Sequence, residues 1–131
     1  MTVLRMTTTA LPQREEPRKR DYPQRLLIAE GRQTLVLPLE EVDWMEGGGK
    51  SVRVHAGART FVLRQALATL STRLDPQHFA RIHRSTIVNL TAIVAIEQPG
   101  SGAQKLVLGD GSRLALSRRY RRELLERLRV V

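Results

Sequence analysis

Phe79-Ala80-Arg81-Ile82-His83-Arg84-Ser85-Thr86-Ile87-Val88-Asn89-Leu90 reads as an apolar strand interrupted by cations. Phe79, Ile82, Ile87 and Val88 suit a pleated, buried surface. Arg81, His83 and Arg84 are costly to bury without partners. The stretch is therefore expected to give a strand, Ile82 to Val88, at a sheet edge aimed at something anionic.

On its N-terminal side the signals stay short and β-like. Leu26-Leu27-Ile28-Ala29, a turn at Gly31 and Thr34-Leu35-Val36-Leu37 before Pro38 form a hairpin pattern. Val42 to Glu46, Ser51 to His55 and Thr60 to Arg64 read as three more strands, separated by Gly47-Gly48-Gly49 and by Ala56-Gly57. Alternation puts Val52 and Val54 on one face of their strand and Arg53 and His55 on the other. From Gln65 to Leu74 the period changes: Leu63, Leu67, Leu70 and Leu74 recur at helical spacing until Asp75-Pro76 ends the run.

On the C-terminal side, strands are expected at Ile93–Glu97, Lys105–Leu108 and Arg113–Leu116. Pro99-Gly100-Ser101-Gly102 and the strong hairpin signal Gly109-Asp110-Gly111 separate them. Tyr120 to Leu128 carries Tyr120, Leu124, Leu125 and Leu128 on one stripe, as an amphipathic helix does. Ser117 is suited to cap that helix. Residues 1–24, with three prolines and the basic run Arg18-Lys19-Arg20, offer few core residues and read as a disordered or loosely attached tail. The fold class expected over residues 25–131 is thus mostly β, with one short internal helix and a C-terminal helix.

At 131 residues, 41% of them hydrophobic, the chain has room for one modest core. Its net charge of +9 attracts nucleic acid, anionic membrane or acidic protein. Of 22 basic residues 19 are arginine, whose planar fork fits phosphate and guanine edges. With no cysteine, disulfides, thiol nucleophiles and cysteine-ligated zinc are excluded, and His55, His78 and His83 lack metal-ligand spacing. No cofactor or metal is expected. No apolar run reaches the length of a membrane span and no leader pattern opens the chain, so a cytoplasmic protein without membrane insertion is expected.

Two catalytic patterns fail on inspection. Gly-Lys-Ser at 49–51 closes a phosphate-loop pattern, but the required first glycine falls on Trp44, and a strand rather than a helix follows Ser51. His83 and Ser85 share a strand face at i and i+2, yet no orienting group, oxyanion hole or Gly-x-Ser-x-Gly turn accompanies them. The chain is not expected to be an enzyme. The basic system remains: Arg81, His83 and Arg84, then Ser117-Arg118-Arg119-Tyr120-Arg121-Arg122 where a strand meets a helix, so that Arg forks and free backbone N–H groups could hold phosphate together.

These motifs, in this order, resemble the LytTR family of bacterial DNA-binding response-regulator domains. The shared features are Val42-Asp43-Trp44-Met45-Glu46 and its loop, Leu63-Arg64-Gln65-Ala66-Leu67, His83-Arg84-Ser85 with Val88-Asn89, Gly109-Asp110-Gly111 with Leu114, and Ser117-Arg118-Arg119-Tyr120. The resemblance runs through most of residues 25–129. It implies small antiparallel sheets packed in succession, and a transcription regulator that reads the major grooves of double-stranded DNA through loops rather than a recognition helix. By position it assigns base contacts to Lys50, Ser51 and Val52 in the first loop, to Arg84 in the second and to Arg118 in the third. Arg84 and Arg118 can each donate twice to guanine, and Val52 could touch a thymine methyl. His83, Ser85, Lys50, Arg119 and Arg122 would hold phosphate or support the readers. Asn89 is carried over with them, and for Asn89 and His83 the alternative is a structural role, satisfying strand or loop backbone groups. Ser117 would both cap its helix and meet DNA.

A receiver domain, common in that family, cannot be built from 24 residues, which leaves control open to a homodimer on repeated half-sites, a regulatory protein partner or abundance. The alternative to sequence-specific binding is a basic β-rich module for protein interaction or RNA. The low aromatic content, 4%, argues against a base-stacking platform.

Overall fold

The computed structural model describes residues 21–98, 100 and 102–129. Among the described residues ten strands and two α-helices follow one another: β1 (Arg25–Glu30), β2 (Gln33–Pro38), β3 (Trp44–Gly48), β4 (Ser51–Ala56), β5 (Arg59–Leu63), α1 (Leu67–Arg73), β6 (Phe79–His83), β7 (Thr86–Asn89), β8 (Ile93–Glu97), β9 (Gln104–Leu108), β10 (Arg113–Leu116) and α2 (Arg118–Arg127). All pairing is antiparallel. The strands form a hairpin β1-β2, a five-stranded sheet β5-β4-β3-β7-β6 and a three-stranded sheet β10-β9-β8. The mostly β class with small successive sheets is the architecture the sequence implies.

The five-stranded sheet is the middle layer. On one side, β1-β2 and α1 close a core around Ile28, Met45, Val52, Val54, Phe61, Leu70 and Ile87. On the other, the three-stranded sheet and α2 close a second core around Ile82, Val88, Leu106, Leu108 and Leu124. Neighbours Ile87 and Val88 point to opposite faces and are both buried, at 1% and 0% exposure. That is why the two apolar residues of β7 stand side by side rather than alternating with polar ones. Leu124, also at 0%, anchors α2, and burying a leucine contributes roughly 1.5–3 kcal/mol.

Several expectations need correction. The stretch read as one strand from Ile82 to Val88 is a hairpin: β6 ends at His83, Arg84 and Ser85 turn, and β7 begins at Thr86, with a register shift between Arg81 and His83. β6, as expected, is a sheet edge. The internal helix is shorter than its periodicity, because Leu63 belongs to β5. In α2, Leu125 leaves the apolar stripe and is 42% exposed, whereas Leu124 and Leu128 pack against the second core. The Ser117 cap is present, its Oγ accepting from the Arg119 N–H at 3.3 Å. The expected turn at Gly109-Asp110-Gly111 joins β9 and β10, the Asp110 carboxylate accepting from the Ser112 N–H at 2.9 Å. Pro99 and Ser101, expected in the loop before β9, lie outside the described residues, as do residues 1–20 of the expected tail.

Candidate nucleic-acid interface

The turn Arg84-Ser85 contains no glycine, and among the described residues only glycines have positive φ. Side chains brace it instead. The Arg81 guanidinium donates to the Arg84 carbonyl. His83 Nδ1 accepts from the Ser85 N–H at 3.2 Å and lies 3.0 Å from Ser85 Oγ. Arg81, His83 and Ser85 thus hold the corner, and Arg84 is left exposed at its tip.

Two backbone hydrogen bonds bring the other basic segments alongside. Gly47 N–H donates to the Ser85 carbonyl at 3.0 Å, tying the end of β3, just before the β3-β4 turn, to this turn. Ser117 N–H donates to the Ile82 carbonyl at 2.8 Å, tying the start of α2 to the same hairpin from its other side. The β3-β4 connection is a two-residue turn, Gly49 and Lys50, between the paired Gly48 and Ser51. Gly49 supplies the positive φ, +80°, that such a turn takes at its first position.

Gly47 is needed for closeness. A Cβ there would lie 3.0 Å from Val52 Cγ2, 3.1 Å from the Ser51 carbonyl oxygen and 3.3 Å from Leu67 Cβ. The sequence reading takes Gly47-Gly48-Gly49 as the separator between two strands, whereas Gly47 and Gly48 belong to β3. The neighbours of Gly47, Val52 and Leu67, lie 5 and 20 positions further along the chain, so no local pattern marks the close approach.

Lys50, Ser51, Arg84, Arg118 and Arg119 are exposed around this corner. The Arg119 guanidinium lies 5.6 Å from the centre of the Tyr120 ring. Arg122, its side chain 92% exposed, has only a 3.9 Å approach to Glu126. Arg113 is committed elsewhere: it grips Glu97 through Nε and Nη2 at 3.0 and 3.3 Å. That hydrogen bonding holds the Glu97 carboxyl below its ordinary range and raises the Arg113 guanidinium above its own.

Two residues assigned to the interface face inward. Val52 is wholly buried, at 0%, because β4 alternation sends it into the first core; its side chain is not available to a thymine methyl. Asn89 is 5% exposed, its Nδ2 donating to the Val42 carbonyl at 2.9 Å and its Oδ1 accepting from Thr91 N–H and Oγ1 at 3.0 and 2.9 Å. Of the two roles open to Asn89, the backbone-satisfying one accounts for its whole side chain.

Beside the first loop, Glu46 bonds His55 at 2.9 Å and approaches Arg53 at 3.5 Å, while His55 stacks on Trp44 at 4.0 Å. This cluster fixes the sheet face between β3 and β4. Among the described residues no three His, Cys, Asp or Glu side chains gather as a metal site, and no helix is long and apolar enough to cross a membrane.

The model of the LytTr DNA-binding domain matches residues 32–129. The sensory transduction protein LytT of Bacillus anthracis is 28% identical over 96 residues, 73% of this chain and 39% of that protein. The CO-responsive transcriptional regulator RcoM of Rhodospirillum rubrum is 34% identical over 91 residues, 70% of this chain and 38% of the relative. This chain therefore spans about two fifths of the length of these relatives. A solved LytTr DNA-binding domain from Bacillus cereus superimposes with a TM-score of 0.72 at 24% identity, covering 82% of this chain and 99% of the other.

Proposed function

The chain belongs to the LytTr DNA-binding domain family, and on that premise we propose that it is a transcription regulator binding double-stranded DNA sequence-specifically, through three loops at one corner of its central sheet. The observation that carries this reading is the pair of hydrogen bonds, Gly47 to Ser85 and Ser117 to Ile82, that supports all three basic segments on one hairpin. Arg84 at the turn tip and Arg118 at the start of α2 are the readers, each able to donate a fork to guanine O6 and N7. Lys50, Ser51, Ser117, Arg119 and Arg122 hold phosphates and set register. His83 and Ser85 shape the turn that presents Arg84. The functional domain begins at Arg25 in this reading, and the protein acts where DNA is, in the cytoplasm. Two copies on half-sites one helical turn apart would double the contact set.

Competition tests the reading. A labelled duplex carrying a selected site is bound, then challenged with unlabelled duplex, single strand or heparin at matched anionic charge. Specific duplex should displace far better than the other two. Equal displacement by all three would reduce the protein to a polycation and overturn the proposal.

A further inference from the structure

The burial of Val52 leaves the first loop without a base reader, while Arg84 and Arg118 serve the other two segments. The alternation that sends Val52 inward sends its neighbour Arg53 outward, with its side chain 63% exposed. Arg53 stands in a cross-strand row with Thr86 of β7, Glu46 of β3 and Val62 of β5, and such a row shares one face of the sheet. There it lines an open cleft of about 480 Å³ together with Glu46, Ser51 of the first loop and Ser85 of the Arg84 turn. Val62, 53% exposed, gives that cleft an apolar flank.

Glu46 limits what Arg53 can bind. Its Oε2 lies 3.5 Å from Arg53 Nε and 2.9 Å from His55 Nε2, so one carboxylate oxygen is shared between the two. The Nη groups of Arg53 have no hydrogen-bond partner among the described residues. An arginine pinned at Nε keeps its planar fork oriented and loses less freedom when the fork is used. An exposed pair of this kind does little for the fold. Paired with a carboxylate, Arg53 also adds little to the general attraction for a duplex. A phosphate in its fork would meet the Glu46 carboxylate as a second anion, whereas guanine O6 and N7 are neutral acceptors.

We infer that Arg53 is a base reader, donating its Nη fork to a guanine in the groove that the first loop enters, and that Glu46 is the positioning residue that orients it and turns phosphate away. The inference rests on the duplex-binding reading above.

Site selection from a random duplex library tests it, with wild type, Arg53→Ala, Glu46→Gln and Arg84→Ala run side by side and then titrated against the selected site and random duplex. Arg53→Ala should relax one position of the motif, other than the one relaxed by Arg84→Ala. It should weaken binding to the selected site roughly 5- to 150-fold and binding to random duplex far less. Glu46→Gln keeps an acceptor for Arg53 and His55 and removes the charge, so random duplex should bind more tightly and the ratio of specific to random affinity should fall. Equal loss of both affinities in Glu46→Gln would remove it as a positioning residue. If Arg53→Ala enriches the wild-type motif unchanged while Arg84→Ala relaxes it, the inference fails and the duplex-binding reading stands. Uniform weakening by Arg53→Ala on every sequence, with a salt slope shallower by about one unit, would make Arg53 a phosphate contact and overturn the inference as well. A wild type that enriches no motif overturns both.

Discussion

Asn89→Ala separates a structural role from a DNA contact at a residue whose position in the motif suggests either. The wild-type side chain serves the Val42 carbonyl and both Thr91 groups. Thr91 is exposed, so its hydroxyl can turn to water after the substitution. The Val42 carbonyl belongs to a residue at 0% exposure and has no such recourse. Leaving that acceptor unpaired costs about 1–3 kcal/mol, and losing the cap on the Leu90–Ala92 3-10 turn costs about 1 kcal/mol more. The sum, about 2–4 kcal/mol, is a large part of a domain's usual 5–15 kcal/mol. With a urea slope of about 2 kcal/mol/M, the unfolding midpoint should fall by roughly 1–2 M. DNA affinity of the folded fraction, measured at low temperature where the variant stays folded, should match wild type. A midpoint within a few tenths molar of wild type, together with weakened DNA binding, would refute the assignment of Asn89 to the frame.

Arg84→Ala and Arg118→Ala should each lose about 1–3 kcal/mol on a specific site and relax preference at the base pair they read, as anisotropy titrations against single-base variants of the site would register; equal loss on random DNA would remove them as base readers. Arg122→Ala should weaken every sequence alike and make the slope of log affinity against log salt shallower by about one unit. Gly47→Ala should loosen the coupling of the first loop to the Arg84 turn, because the new methyl meets Ser51 backbone at 3.1 Å; specific affinity should fall more than non-specific affinity, and equal affinities for both would show that the loops read independently. The Asp110 carboxyl is held below its ordinary range chiefly by the Ser112 N–H, so the stability it contributes is present at neutral pH and lost as pH falls through its folded value; Asp110→Asn should flatten the acid limb of the stability curve below about pH 4.

Most strands were legible because glycine turns and apolar runs mark them. The Gly31, Gly49, Gly57 and Gly111 hairpins fall where those signals stand. The hairpin at Arg84-Ser85 was not legible, because its corner is made by the Arg81 guanidinium and the His83 ring rather than by turn residues. Such bracing is a tertiary fact that no local propensity encodes. The same limit applied to the candidate interface. Basic clusters at 81–84 and 117–122 could be read as clusters, but only the Gly47 and Ser117 hydrogen bonds, spanning about 35 to 40 positions, make them one corner. Val52 shows the opposite case. Alternation alone placed it inward with Val54, and positional analogy then placed it on DNA; the burial follows the alternation.

The central claim is sequence-specific recognition centred on Arg84, and selection from a random duplex library at near-physiological salt tests it most directly, run in parallel with wild type and Arg84→Ala. Wild type should enrich a short motif, recurring at about a helical turn's spacing if two protomers bind, and the variant should enrich the same motif with one position relaxed. Retention of duplexes with no enriched motif, or an identical motif from both proteins, would contradict the account.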